Sequence, residues 1–361
     1  MLGLLLFLAQ AANPGLVDQA RALSPEFCAD AMLRLAASPR LTDNKQRRRL
    51  IEEAFAAGAH APLPYRSVPD ELRNGLDALT LQTRAVNAML ALDAVRARAM
   101  FRGIPPPDPP RLTCRDSATP DLSAYYQTAL HLFASAFSRQ ERAAEDDLQF
   151  LQQIVVSVQS PSQVVPALKM MPEAGARMTA VQRRQLAGAI AGVLDRVAGS
   201  DREYAASENV LVPSALPEMH DSQMFVPALR AYIVRHLSAA RCSDTIPAGG
   251  LSESARQFNA LIARLSPTTA QLRPIALEEV QPLRVDGTFE RRPGHGGALS
   301  PAGLHFLEQQ YVPSGDHEIW FSQVRAMLKT AASSGDLDEM ARSSNPIIAL
   351  YARLAAFTDR P

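Results

Sequence analysis

The residues of this chain that could perform acid–base, nucleophilic or metal chemistry are spread thinly, so their spacing decides what they can do. Seven histidines are present. His220 precedes Asp221, and His317 stands between Asp316 and Glu318. Neighbours in sequence do not face one another on a helix, so both read as polar surface turns rather than imidazole–carboxylate dyads. His236 continues the apolar stripe of Phe225, Leu229 and Tyr232, which makes it a hydrogen-bonded core histidine rather than a general base. His295 and His305 flank a glycine-rich stretch that lacks both the Gly-Lys of a phosphate loop and a G-x-G-x-x-G turn. None of the three cysteines falls in a C-x-x-C pair, so neither a zinc site nor a thioredoxin-like site is indicated. Cys114 and Cys242 lie where helices meet connectors and are the candidate disulfide; the alternative is three unpaired thiols. Cys28 sits on an apolar helical face and reads as a small buried hydrophobe.

No H-E-x-x-H, G-x-S-x-G or calcium-loop pattern occurs, so no catalytic residue, metal ligand or cofactor is assigned. Arg47, Arg48 and Arg49 invite comparison with a phosphate site, but Glu52 and Glu53 follow one turn on and make a solvated helix face. Tyr125, Tyr126 and Trp320 read as core or packing aromatics.

The elements that must position these residues are helices. Leu72, Leu76, Leu79, Thr83, Val86 and Leu90 recur at spacings of four and three, and Ala94, Ala97, Phe101 and Ile104 repeat the pattern after Asp93. This is a helical hairpin, closed by Pro105 to Pro107. Ser24-Pro25, Asp43 with Gln46, Ser138 with Glu141, Ser160-Pro161 and Thr179 with Gln182 mark further helix starts. Pro166 falls inside a short helix. The expected class is all-α, stacked antiparallel hairpins of about 35–45 residues each, like an α-solenoid or helical repeat, with a compact bundle as the alternative packing. One irregular stretch interrupts it near 266–300, with Val285 to Thr288 as a tight hairpin turn.

Met1 to Ala11 carries a short apolar run ending in Ala9-Gln10-Ala11, the pattern of a signal peptide, with a buried first helix as the other reading. The expected organisation is a signal peptide over 1–11, a hairpin array over 14–242, a short helix and irregular connector over 243–300, and a C-terminal helical segment over 301–361. Basic and acidic residues are equal at 37 each, and only Lys45, Lys169 and Lys329 are lysines. A chain without excess charge has no footprint for nucleic acid, and nothing after the leader is apolar enough to be an integral span. Another protein is the expected partner, with oligomeric state unassigned.

The stretch Leu76 to Ile104, with Ala78 to Val86 and Leu92-Asp93, followed by Leu112-Thr113-Cys114 after a proline-rich connector, resembles an uncharacterised family of exported all-helical bacterial proteins. Leu50 to Tyr65 is similar to the same group. The resemblance covers about the first third of the chain and implies an exported, all-α protein; it transfers no site residue. The reading that follows is a non-catalytic exported protein, periplasmic or secreted, for protein–protein interaction or scaffolding. The alternatives are a hydrolase with a site between the array and the 266–300 loop, using His295 or His305, and a structural envelope component.

Overall fold

Amphipathic segments separated by caps fold here as a succession of helices. The computed structural model describes residues 14–62, 74–116, 120–205, 225–242, 250–263, 273–281, 285–287, 303–312 and 317–359. Among these residues the protein is all-α. The N-terminal helices are α1 (Pro14–Arg21), α2 (Pro25–Ala37), α3 (Asn44–Gly58), α4 (Ala78–Leu90) and α5 (Ala94–Arg102). The middle of the chain gives α6 (Ser123–Ser135), α7 (Arg139–Ala143), α8 (Asp146–Val156), α9 (Pro161–Leu168), α10 (Met171–Ala176), α11 (Ala180–Arg196), α12 (Asp201–Ala205), α13 (Phe225–Ser238) and α14 (Glu253–Ile262). The last are α15 (Leu304–Gln310), α16 (His317–Ser334), α17 (Leu337–Met340) and α18 (Pro346–Asp359).

Packing divides the chain into two compact units. One combines the described residues up to Ile104 with those from 303 onward, and the other holds those between Pro105 and Gly287. This differs from the linear partition expected at 242 and 300, because α15 to α18 pack with the N-terminal helices. Periodicity reports which face of a helix is buried and is silent on what covers it. In the first unit α2, α3, α4 and α5 pack in succession, and α18 lies on α1, α2 and α16. In the second, α8 packs on α6 and α11, and α11 on α13.

The caps explain where the helices begin. Asp43, Asp77 and Asp93 each accept a backbone N–H of the following turn, from Lys45, Thr80 and Arg96. The central helix therefore starts at Ala78, later than the stripe counted from Leu72, which lies outside the described residues. Gly75 has a left-handed backbone with φ of 68°, and a Cβ there would meet Thr80 Cγ2 at 2.8 Å, so the chain turns sharply just before the cap. Ser138–Glu141 and Thr179–Gln182 form reciprocal capping boxes, as does Ser160 with Gln163. Ser24 precedes α2 without a side-chain cap bond. The helix opened by Ser138 stops after one turn at Glu145, which adopts φ of 61°. There Arg142 turns back to the carbonyls of Phe133 and Ala134 and to Asp147.

Val285–Gly287 is a short strand rather than the expected hairpin turn. It pairs in parallel with Arg241–Cys242, because its extended backbone finds a distant edge instead of folding on itself. The core of the first unit is built on Phe27, Met32, Leu81, Phe101 and Phe321, and that of the second on Tyr126, Leu151, Phe225, Tyr232 and Phe258. Tyr125 and Trp320 are buried as well, and the indole N–H donates to the Leu307 carbonyl.

Helix α3 meets α4 tightly at Gly58, where an added Cβ would stand 3.1 Å from Leu81 Cβ. Gly58→Val should therefore wedge the pair apart and cost about 1–3 kcal/mol. The urea midpoint of the purified protein measures this, and an unchanged midpoint would contradict the packing.

Candidate functional site

Helix α2 carries Glu26, Asp30 and Arg34 at successive four-residue steps, which aligns them on one face. Glu26 and Asp30 are buried, and each organises a cluster around it. Asp30 is 1% exposed. Its carboxylate meets Arg34 Nε at 2.7 Å and an Arg84 guanidinium nitrogen at 2.7 Å, and accepts the Tyr351 hydroxyl at 2.7 Å. Burial alone would push this carboxyl up; the two guanidiniums and the bonds from Arg34 and Tyr351 hold it below the usual carboxylate range. Burial and the Asp30 charge push the Tyr351 phenol well above its ordinary value, so it serves as a hydrogen-bond donor. Two cations share one anion, which leaves the cluster a formal charge of about +1.

The second cluster pairs Glu26 Oε1 with His317 Nδ1 at 2.7 Å, while His317 Nε2 donates to the Val312 carbonyl at 3.1 Å. Burial raises the Glu26 carboxyl, but the bonds from His317 and from its own backbone outweigh that and hold it low. The ring stacks on Tyr311 and tilts against Phe27. His317 is thus buried and hydrogen-bonded on both ring nitrogens, not the polar surface turn expected from sequence. Its neighbour Glu318 faces elsewhere and accepts the backbone N–H groups of Asn74 and Leu76. Burial raises the Glu318 carboxyl above its ordinary value.

A groove of about 520 Å³ opens beside the Asp30 cluster, between the C-terminal end of α2, α16 and α18. Leu328, Leu354 and Tyr351 are buried and make its floor. Arg34 lies half-exposed at one wall, and Arg325 and Lys329 stand exposed on α16, one turn apart. Arg325 donates to the Asn74 side-chain carbonyl, a neutral partner, at 3.1 Å. The guanidinium of Arg34 packs 5.4 Å from the Tyr351 ring centre, which fixes it at the wall. Chemically this is a place to hold an anion against an apolar surface. Sequence reasoning missed it, although charged residues at positions 26, 30 and 34 on a helix otherwise lined by Phe27, Ala31 and Met32 were the available signal.

In the second unit the structure joins Cys114 to Cys242 by a disulfide spanning 128 residues. In the entropic model a loop of that length contributes about 5 kcal/mol. The Cys242 amide donates to Asp201 Oδ2 at 2.7 Å, while Arg241 and His236 approach Asp201 Oδ1 at 3.0 and 2.9 Å. His236 is 5% exposed and stacks flat on Tyr204 at 4.2 Å. His236 and the strand that carries Cys242 thus share one carboxylate, Asp201.

His305 lies on α15 beside Gln309 and 3.9 Å from Glu308, with its side chain 84% exposed. His220 and His295 lie outside the described residues. Cys28 is half-buried, and burial pushes its thiol up; Arg21 and Glu53 stand near it, so the position is less enclosed than an apolar stripe alone indicated. Arg49 pairs with Glu53 one turn on, while Arg48 turns to Asp93 and Arg47 to the Ser38 carbonyl. Among the described residues, no group of three or more His, Cys, Asp or Glu side chains could hold a metal ion, and no helix is long and apolar enough to cross a membrane.

The lowered Asp30 and Glu26 carboxyls give stability a pH dependence of known sign. The unfolded chain takes up protons at a higher pH than the folded one, so their contribution is complete above about pH 4.3 and drains as pH falls toward the folded-state values. Glu318, raised by burial, acts in the opposite sense. Glu26→Gln should therefore flatten the acid-side fall in urea midpoint relative to the parent protein; parallel profiles would contradict the assignment.

Compared with family models, with curated proteins and with solved structures, the chain finds no match.

Proposed function

We propose that this is an exported, non-catalytic helical protein that binds a protein partner, with the groove between α2, α16 and α18 as its docking site. The observation that carries the reading is the placement of charge. The buried imidazoles His236 and His317 and the Arg34 guanidinium are committed to Asp201, Glu26 and Asp30, whereas the groove presents Arg325 and Lys329, which among the described residues pair with no carboxylate, beside an apolar floor. Ligand sites combine an apolar surface with a few placed polar groups. Export draws support from the signal-like Met1 to Ala11 segment and from the Cys114–Cys242 disulfide, a bond that persists in oxidising compartments. The succession of α2 to α5 accords with stacked hairpins, the arrangement that gives repeat proteins their extended binding faces.

A photoreactive side chain placed at Ala355, in the groove, tests this in the native cells, with Val95 as a control exposed elsewhere in the same unit. A discrete protein adduct formed from position 355 and not from position 95 is expected. Adducts of the same identity and yield from both, or none from either, would contradict a partner-binding groove.

A further inference from the structure

We propose that the groove receives an acidic, amphipathic segment of the partner protein, its carboxylates against Arg325 and Lys329 and its apolar side chains over the exposed Ala332 and half-exposed Ala355, which lie along the groove with the buried Leu328 and Leu354. This rests on the binding reading above and names the partner's chemistry.

Charge is the first argument. The whole chain is neutral, with 37 basic and 37 acidic residues, so three cations around one groove with no carboxylate among its lining residues is a local concentration. Two acids near it face elsewhere: Asp30 lies between Arg34 and Arg84, and Glu318 faces the amides of Asn74 and Leu76. Among the described residues no carboxylate pairs with Arg325 or Lys329, and the one polar contact of the Arg325 side chain given by the structure is to a neutral amide.

Shape is the second. The lining runs from Arg325 to Ala332 along α16 and from Tyr351 to Thr358 along α18, two turns of each helix, or about 10 Å. That length matches two turns of a docked helix, the span over which anchors at i, i+3, i+4 and i+7 engage a groove. The cations Arg325 and Lys329 lie on α16 at i and i+4, beside Leu328, so a partner helix must present charge along one edge and apolar side chains along its centre. A nucleic acid would satisfy the cations but set sugar and phosphate against the apolar lining, and the one aromatic among the lining residues, Tyr351, is buried and not open to stacking.

Lysine footprinting of the full-length protein reads the site directly, since Lys329 is one of three lysines and both Lys45 and Lys169 are exposed internal references. The probe is an amphipathic helical peptide of Glu, Leu and Ala, set beside the same peptide with Gln for Glu, sodium decanoate, and a short oligonucleotide. The Glu peptide should slow acetylation of Lys329 roughly fivefold without protecting Lys45 or Lys169, and Arg325→Gln or added salt should weaken that protection. Equal protection by the Gln peptide would overturn the acidic specificity while leaving a docking groove. Protection by decanoate or the oligonucleotide and not by the Glu peptide would overturn the peptide source. Absence of protection by every probe, with the position-355 adduct still formed, would overturn the acidic-segment inference alone; absence of both would overturn the binding reading as well.

Discussion

A single buried carboxylate holds the first unit together. Asp30 sits on α2 at 1% exposure and is met by groups from three helices: Arg34 of α2 itself, Arg84 of α4 and Tyr351 of α18. Isolated, such a charge would be prohibitively costly to bury; surrounded by two guanidiniums and a hydroxyl, it becomes a constraint on where those helices can lie. The same helix uses Glu26 to fix His317 at the start of α16. The two acids of α2 therefore select the partners of its buried face, joining residues separated by 291 and 321 positions. The groove is a consequence, since it forms where α2 ends and α16 and α18 continue past it.

The second unit solves the same problem with a covalent bond. Asp201 collects Arg241, His236 and the Cys242 amide, and Cys242 is fastened to the connector that carries Cys114. Both units bury an acid at the N-terminal part of a helix and let it gather cationic or N–H groups from distant segments. In each, an imidazole beside a carboxylate has the composition of a catalytic pair but the surroundings of a structural one. His236 is 5% and His317 8% exposed, and they stack on Tyr204 and Tyr311.

What the sequence made legible was local. Caps at Asp43, Asp93, Ser138 and Thr179 are short-range signals, and the helices begin there. The all-α class follows from the same periodicity. The break at Glu145 was not legible, because it depends on Arg142 reaching back to carbonyls at the end of α6. Nor was the pairing of Val285 with Arg241, which closes over a long separation. The groove was hidden for the same reason: Arg34, Lys329 and Leu354 meet only once the C-terminal helices return to α2, and no pattern within any one helix encodes that return. His317 was misplaced at the surface because its neighbours Asp316 and Glu318 are charged, whereas its true partner Glu26 lies near the other end of the chain.

The claim on which the account turns is that Asp30 and Tyr351 act as one unit across the closure of the chain ends. A double-mutant cycle with Asp30→Asn and Tyr351→Phe, read by urea denaturation, tests it most directly. Direct contact at 2.7 Å in a buried site predicts a coupling of about 1 kcal/mol or more between the two substitutions. Losses that add within about 0.3 kcal/mol would show that the two residues do not hold each other, and the account of how the first unit closes would fail with them.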